Sequence, residues 1–271
     1  MAKKLLLTAS ILAASILVLV ALLAFLRPLE TPTSETCSDH LEPPLVSSVV
    51  GIPILMYHEL GDAPNELYVS PGQFIAQMDY LVEHGYTTIS FEDLLAHWAD
   101  GAPLPKNPVL ITFDDGYSSA YSVAFEVLAE RGLTATFFIT TGMVGEPNHV
   151  TWPQLVEMSL AGFTIASHSV SHAYLATCDA AALQKELGLS KQVLEENLSI
   201  DVVALSYPFG QFNEDVVRTA CECGYQVAVT TRVGLAFKGQ DIMALPRLPV
   251  YRSLDMAGFE RVLQGVLDGP E

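Results

Sequence analysis

Two adjacent carboxylates, Asp114 and Asp115, open the segment Asp114-Asp115-Gly116-Tyr117 directly after the apolar run Pro108-Val-Leu-Ile-Thr-Phe113. Neighbouring aspartates repel each other unless a cation or hydrogen-bond donors absorb the charge, so a pair at a strand end points to chemistry more than to a turn. The competing reading is an Asp-Gly turn and nothing else. A second apolar run, Phe163 to Ser167, ends in His168-Ser169-Val170-Ser171-His172. Imidazoles four residues apart can face the same way in a helical turn and converge on one ion. Two imidazoles and one carboxylate of the pair make an incomplete coordination shell, which leaves room for water and substrate as a catalytic metal requires. A third segment, Ser206-Tyr207-Pro208-Phe209-Gly210, again ends an apolar run. Its proline and glycine constrain the backbone, and the Tyr207 amide is a candidate donor to a developing oxyanion.

These groups need a scaffold that brings strand ends together. Short apolar runs suited to strands recur at Ile52 to Tyr57, Thr87 to Ile89, Val109 to Phe113, Ala135 to Thr140, Thr164 to Ser167, Val202 to Tyr207, Gln226 to Thr230 and Leu245 to Val250. Longer amphipathic stretches separate them. Ser70-Pro71-Gly72-Gln73 has a capping residue, proline at the first helical position and Gln at the third, so a helix is expected toward Gly85. Ser90 and Asp93 frame another. Asp179 can cap a long helix with Leu183, Leu187, Leu194 and Leu198 on one buried face. Repeated strand and helix units imply an α/β fold with a mainly parallel sheet, open or closed into a barrel. In both arrangements chemistry gathers at the C-terminal strand ends, where the Asp pair and the two histidines fall.

The remaining composition bounds compartment and partners. From Leu5 to Leu26 the chain carries no charge; as a helix that run would span roughly 33 Å at about 1.5 Å per residue, enough for a bilayer core. Lys3 and Lys4 precede it and Glu30, Glu35 and Asp39 follow, an asymmetry that places the N-terminus in the cytoplasm and the rest outside. The expected organisation is a membrane anchor or signal peptide over residues 1–28, a tether over 29–50 and a catalytic domain over 51–271. The domain is then held at the cell membrane through its N-terminal helix, or secreted if that helix is cleaved. With 31 acidic residues against 13 basic ones the net charge is -18, and no basic groove is interleaved with aromatics, so nucleic acid is discounted as a partner. The four cysteines, Cys37, Cys178, Cys221 and Cys223, are too few for a disulfide scaffold, and the lone Cys221-Glu222-Cys223 is weak evidence for a metal site.

In this order and context the Asp-Asp-Gly and His-x-x-x-His motifs resemble the polysaccharide deacetylases of carbohydrate esterase family four, over roughly Gly51 to Tyr251. Ile54-Leu-Met-Tyr-His58 and Tyr207-Pro-Phe-Gly210 are most similar to the branch that includes poly-N-acetylglucosamine deacetylases. The resemblance implies a distorted, incomplete (β/α) barrel of parallel strands. It implies a divalent metal, zinc or a similar ion, held by Asp115, His168 and His172, with Asp114 as general base. The implied reaction removes N-acetyl groups from an acetylated amino-sugar polysaccharide. A zinc peptidase, a peptidoglycan amidase and a glycan-binding protein with a vestigial site are the rival readings.

Two departures from the family pattern bear on the proton chemistry. Many members carry Arg where Ser206 stands, and that Arg pairs with the catalytic Asp. The Leu-x-His segment that usually supplies a general acid is Leu245-Pro-Arg247 here. Arg247 is therefore the expected partner of Asp114, against the alternative of an ordinary strand-end arginine. His58, after the first strand, is the expected acid, because a histidine can give a proton near neutral pH and an arginine cannot; the alternative is a residue that only supports the site.

Overall fold

The computed structural model describes residues 51–265. Strands β1 (Ile54–Tyr57), β5 (Pro108–Phe113), β6 (Thr136–Ile139), β7 (Thr164–Ser167), β8 (Ala204–Ser206), β9 (Val227–Val233) and β10 (Leu245–Pro249) pair in the order β1-β10-β9-β8-β7-β6-β5, and β5 returns to β1. The ring closes on seven parallel strands. The short β4 (Thr87–Thr88) pairs with Pro108 and Val109 at the start of β5, while β6 takes up Thr112 and Phe113 at its end. Among the described residues the ring thus has seven strands and not eight, as the incomplete barrel implied by the family resemblance requires.

Closure buries both faces of the strands, which is why they read as nearly continuous apolar runs. One set of alternate residues, Ile54, Leu110, Phe138, Ala166, Ala204, Val229 and Leu245, forms a single inner cluster. The intervening residues, among them Leu55, Ile111, Phe113, Phe137, Ile165 and Leu205, pack outward with the helices in a second cluster. With a side-chain period of two, the next inward positions toward the C-terminal ends are His58, Asp114, Thr140, His168, Ser206 and Arg247. The barrel is therefore filled with hydrocarbon below and polar groups above.

The helix signals act as their chemistry suggests. Ser70 Oγ accepts from Gln73 N at 3.2 Å and starts Pro71–Glu83. Ser90 and Asp93 form a reciprocal capping box at the head of Phe91–Asp100. Asp179 caps Ala180–Leu183, but the expected single long helix contains a π-helical turn, Gln184–Leu189, before resuming as Ser190–Leu198. Several strand limits shift. Ile52 makes only an isolated bridge to Ala236, β9 runs on to Val233, and a further short pair, β2 (Glu59–Leu60) with β3 (Tyr68–Val69), was not anticipated. The Leu5 to Leu26 run and Cys37 lie outside the described residues, within which no helix is long and apolar enough to cross a membrane.

Candidate metal centre

β5 carries the carboxylate pair to the barrel mouth. Leu110, Thr112 and Asp114 alternate inward, and Asp114 N donates to Tyr57 O at 3.0 Å, the last rung of the β1–β5 ladder. Asp115 then turns out of the strand with φ 72° and Gly116 with φ 81°. Only glycine adopts such angles without cost, so the left-handed Asp115 is a strained residue of the kind that clusters at working sites. This reversal separates the two carboxylates. Asp114 is buried in the mouth, and Asp115 faces the loops above it.

Asp114 is held by Arg247 in a bidentate pair, Nη1 to Oδ1 at 2.8 Å and Nη2 to Oδ2 at 2.6 Å. Ser206 Oγ adds a third bond to Oδ2 at 3.2 Å. Arg247 is fully buried, and its other donors are spent on Thr230 O, Thr112 Oγ1 and Ser206 Oγ. Burial alone would raise the Asp114 pKa, but the guanidinium outweighs it, with smaller help from His168 and His58, and holds the carboxyl well below its ordinary range. A cation is thus present beside Asp114 although position 206 is serine. It arrives from β10, nearly at the far end of the domain sequence.

The histidines meet Asp115 from β7 and its following loop. His168 Nδ1 donates to Ser206 O at 2.7 Å, which leaves the Nε2 lone pair free to face Asp115 Oδ1 at 3.3 Å. His172 Nε2 stands at the same 3.3 Å from that oxygen. The three ligand atoms lie within 4.8 Å of one another, the one such group of possible metal ligands among the described residues. Asp115 Oδ1 is itself a buried acceptor with no hydrogen-bond donor. Such an orphan normally costs stability unless something occupies the site. A tetrahedral ion with ligands at about 2.0–2.1 Å would set neighbouring ligand atoms about 3.3–3.4 Å apart. The donor set, the spacing and the orphaned oxygen all fit a divalent metal, and Ser206 O is the outer partner that fixes the His168 ring.

The histidines differ electrostatically. Burial lowers the His168 pKa, but the two carboxylates outweigh it and the ring stands above the ordinary imidazole value. His172 is half-buried, and desolvation together with His168 leaves it below that value. Its backbone is left-handed at φ 57°, as is that of Ser169 at φ 65°. The ring packs edge-on against Phe209, with centroids 4.4 Å apart, and Phe209 in turn stacks on the exposed Tyr174 at 4.0 Å.

His58 follows β1 at the same mouth, where it feels the charges of Asp114, Asp115, Arg247 and His168. Burial lowers its pKa more than the carboxylates raise it.

Tyr207 requires a correction. Its N–H donates to Val229 O at 3.2 Å as part of the β8–β9 ladder, so that amide is committed and is not free for an oxyanion. Its ring is fully buried against Phe212, away from solvent. The expected strand already ran to Tyr207, but its amide was expected to be free, whereas β9 still pairs with it there. The chain leaves the sheet only at Pro208–Gly210, where Phe209 adopts φ 59°. Phe209, Tyr174 and the buried Glu186 are site neighbours that sequence reasoning missed. Only the quoted Tyr-Pro-Phe-Gly segment contained any signal for one of them. The Cys221-Glu222-Cys223 segment closes a helix, Glu214–Glu222, before Gly224 and takes no part in the centre.

Comparisons with known proteins agree with this geometry. Residues 101–228 match the family model for polysaccharide deacetylase. YxkH of Bacillus subtilis (strain 168), which bears that family's name, is 33% identical over 215 residues, covering 79% of this chain and 77% of its own. A poly-beta-1,6-N-acetyl-D-glucosamine N-deacetylase of Staphylococcus aureus is 26% identical over 194 residues, 66% of this chain and 67% of its own. Among solved structures, the Streptococcus pyogenes deacetylase PplD in complex with acetate superposes with a TM-score of 0.76 at 28% identity, covering 82% of this chain and 100% of that one. With the barrel, the mouth and the sequence relationship in agreement, the chain belongs to the polysaccharide deacetylase family.

Proposed function

We propose that this deacetylase removes N-acetyl groups from amino-sugar residues of a cell-surface or extracellular polysaccharide, and that it depends on a divalent metal, zinc in the first instance. The observation that carries the reading is the orphaned Asp115 Oδ1, set at ligand spacing from two imidazole nitrogens and next to an arginine-clamped Asp114. The staphylococcal relative is named for β-1,6-linked N-acetylglucosamine, which makes that polymer the first substrate to try. The uncharged run from Leu5 to Leu26 supports a domain outside the cytoplasm, where such polymers are found.

Asp115, His168 and His172 would hold the ion. Bound there, it would polarise an acetyl carbonyl and lower the pKa of water. Asp114 stays ionised at any working pH because Arg247 faces it, and it takes the proton as water attacks the acetyl carbon. The clamp that keeps Asp114 charged also makes it a weak base. It therefore depends on the neighbouring ligand site to acidify the proton it receives. Collapse of the tetrahedral carbon breaks the C–N bond, and the departing amine needs a proton, which His58 supplies. A lowered His58 pKa favours release of that proton and disfavours its uptake, so the two carboxylates nearby matter to its loading. Arg247 and Ser206 hold the Asp114 carboxylate in one orientation throughout.

The test is acetate release from β-1,6-linked N-acetylglucosamine oligomers, with a peptide panel alongside, using zinc-loaded and chelated protein. Zinc-dependent acetate release is expected. Peptide cleavage without acetate would replace this reading with the peptidase one. Asp114→Asn should keep the metal and lose about 10²-fold or more in turnover; full turnover would remove Asp114 from the mechanism.

A further inference from the structure

The π-helical turn Gln184–Leu189 interrupts the helix behind the histidine loop, and such turns frequently mark functional positions. Within it Glu186 is buried, and its carboxylate points at the segment between the two histidines. Oε2 accepts from Val170 N at 3.0 Å and from Ser171 N at 2.9 Å, and Oε1 accepts from Ser171 Oγ at 2.7 Å. One turn later Ser190 Oγ donates to Ser169 O at 3.1 Å. From the other side, Gly142 N donates to Val170 O at 2.8 Å. The loop these groups hold contains two left-handed residues, Ser169 and His172, a conformation that persists only when its surroundings enforce it. His172 supplies a ligand atom yet is the most exposed of the three, so the loop backbone must do what burial does for His168.

We propose that Glu186 is a positioning residue for the metal centre: its carboxylate fixes Val170 and Ser171 so that His172 Nε2 stays within ligand range of Asp115 and His168. The inference rests on the metal reading above. It concerns hydrogen-bond geometry and not charge. A glutamine at 186 can still accept both backbone N–H groups on one oxygen and pair its amide with Ser171 Oγ, whereas alanine can do neither. Aspartate keeps the charge but falls one methylene short.

The experiment measures zinc affinity of the full chain by competition with a chromophoric chelator, and the visible spectrum of the cobalt-loaded protein, for wild type, Glu186→Gln, Glu186→Asp and Glu186→Ala. Circular dichroism and thermal unfolding of the metal-free proteins report the fold. Glu186→Ala should bind zinc about 10- to 100-fold more weakly, with a changed cobalt spectrum, the usual loss when an outer partner of a ligand is removed. Glu186→Gln should remain near wild type, and Glu186→Asp should fall toward alanine. Wild-type affinity and spectrum in folded Glu186→Ala would overturn the proposal alone. If the alanine variant does not fold, Glu186→Asp decides: unchanged affinity there has the same force. A wild-type chain that takes up no zinc would overturn the metal assignment and this proposal together.

Discussion

The site has two halves that are built differently. Asp114, Arg247, Ser206 and His168 lie in the barrel mouth, none more than 3% exposed, and each is an inward residue at the end of a strand. Asp115, His172 and Phe209 form the rim, more exposed and all in left-handed backbone at φ 72°, 57° and 59°. The mouth is therefore positioned by strand alternation and burial, so its side chains carry part of the fold's stability. The rim is positioned by strained turns that other residues hold, so its side chains can be changed at lower cost to the fold. Chemistry and stability are therefore coupled in one half of this site and largely separable in the other.

The largest effect should come from breaking the mouth's ion pair. Removing one partner of a buried, hydrogen-bonded pair leaves an uncompensated charge and costs about 3–5 kcal/mol. Arg247→Ala should therefore lower the unfolding free energy of the metal-free protein, read from urea titration, by that amount. A loss typical of surface sites would mean that the mouth is not the stabilising half.

Acid should expose the same pair. The Asp114 pKa is depressed in the folded protein, so its contribution to stability is full above the unfolded value of about 3.9 and is lost as pH falls through the folded value. Unfolding midpoints taken in chelator from neutral pH downward should drop through that window in the wild type and drop less in Asp114→Asn. Equal slopes in the two proteins would show that Arg247 does not hold the carboxylate as the geometry indicates.

The two histidines carry the contrast into the proposed metal centre. Both alanine substitutions should abolish stoichiometric zinc. His168→Ala should in addition destabilise the metal-free fold by about 1–3 kcal/mol, because it leaves Ser206 O buried without its donor. His172→Ala should change metal-free stability much less. Retention of zinc by a folded His172→Ala protein would remove it from the ligand set, and equal thermal shifts for the two variants would erase the distinction between mouth and rim.

Tyr174 should give the smallest effect. Tyr174 is 57% exposed, and among the described residues its ring stacks on Phe209 alone, so Tyr174→Ala should change stability by about 0.5 kcal/mol or less. A larger drop in the thermal midpoint would mean that the aromatic rim supports His172 more than its exposure suggests.

Much of this was legible in the residues themselves. The Asp pair and the two histidines follow apolar runs, and strand period with the C-terminal rule puts them at one end of a parallel sheet, open or closed; the barrel is what the family resemblance implied. The capping residues Ser70, Ser90 and Asp179 act through local backbone geometry, so sequence distance did not hide them. Tyr207 is the opposite case: where a ladder ends is decided by the neighbouring strand, and Val229 is still there to accept its N–H.

What the chain determined by itself is whatever depends on near neighbours: strand alternation, caps, the strained Asp-Gly turn and the identity of the ligand types. The tertiary structure alone decided that Ser206 O fixes His168 and that Glu186 holds the histidine loop, and it decided between the two readings of Arg247, 133 positions from Asp114, in favour of the clamp. Those contacts exist because the ring closes, bringing β10 and β8 around the ends of β5 and β7. A pairing made by closure leaves no periodic trace along the sequence, since it depends on which strands face each other across the barrel and not on the residues beside them.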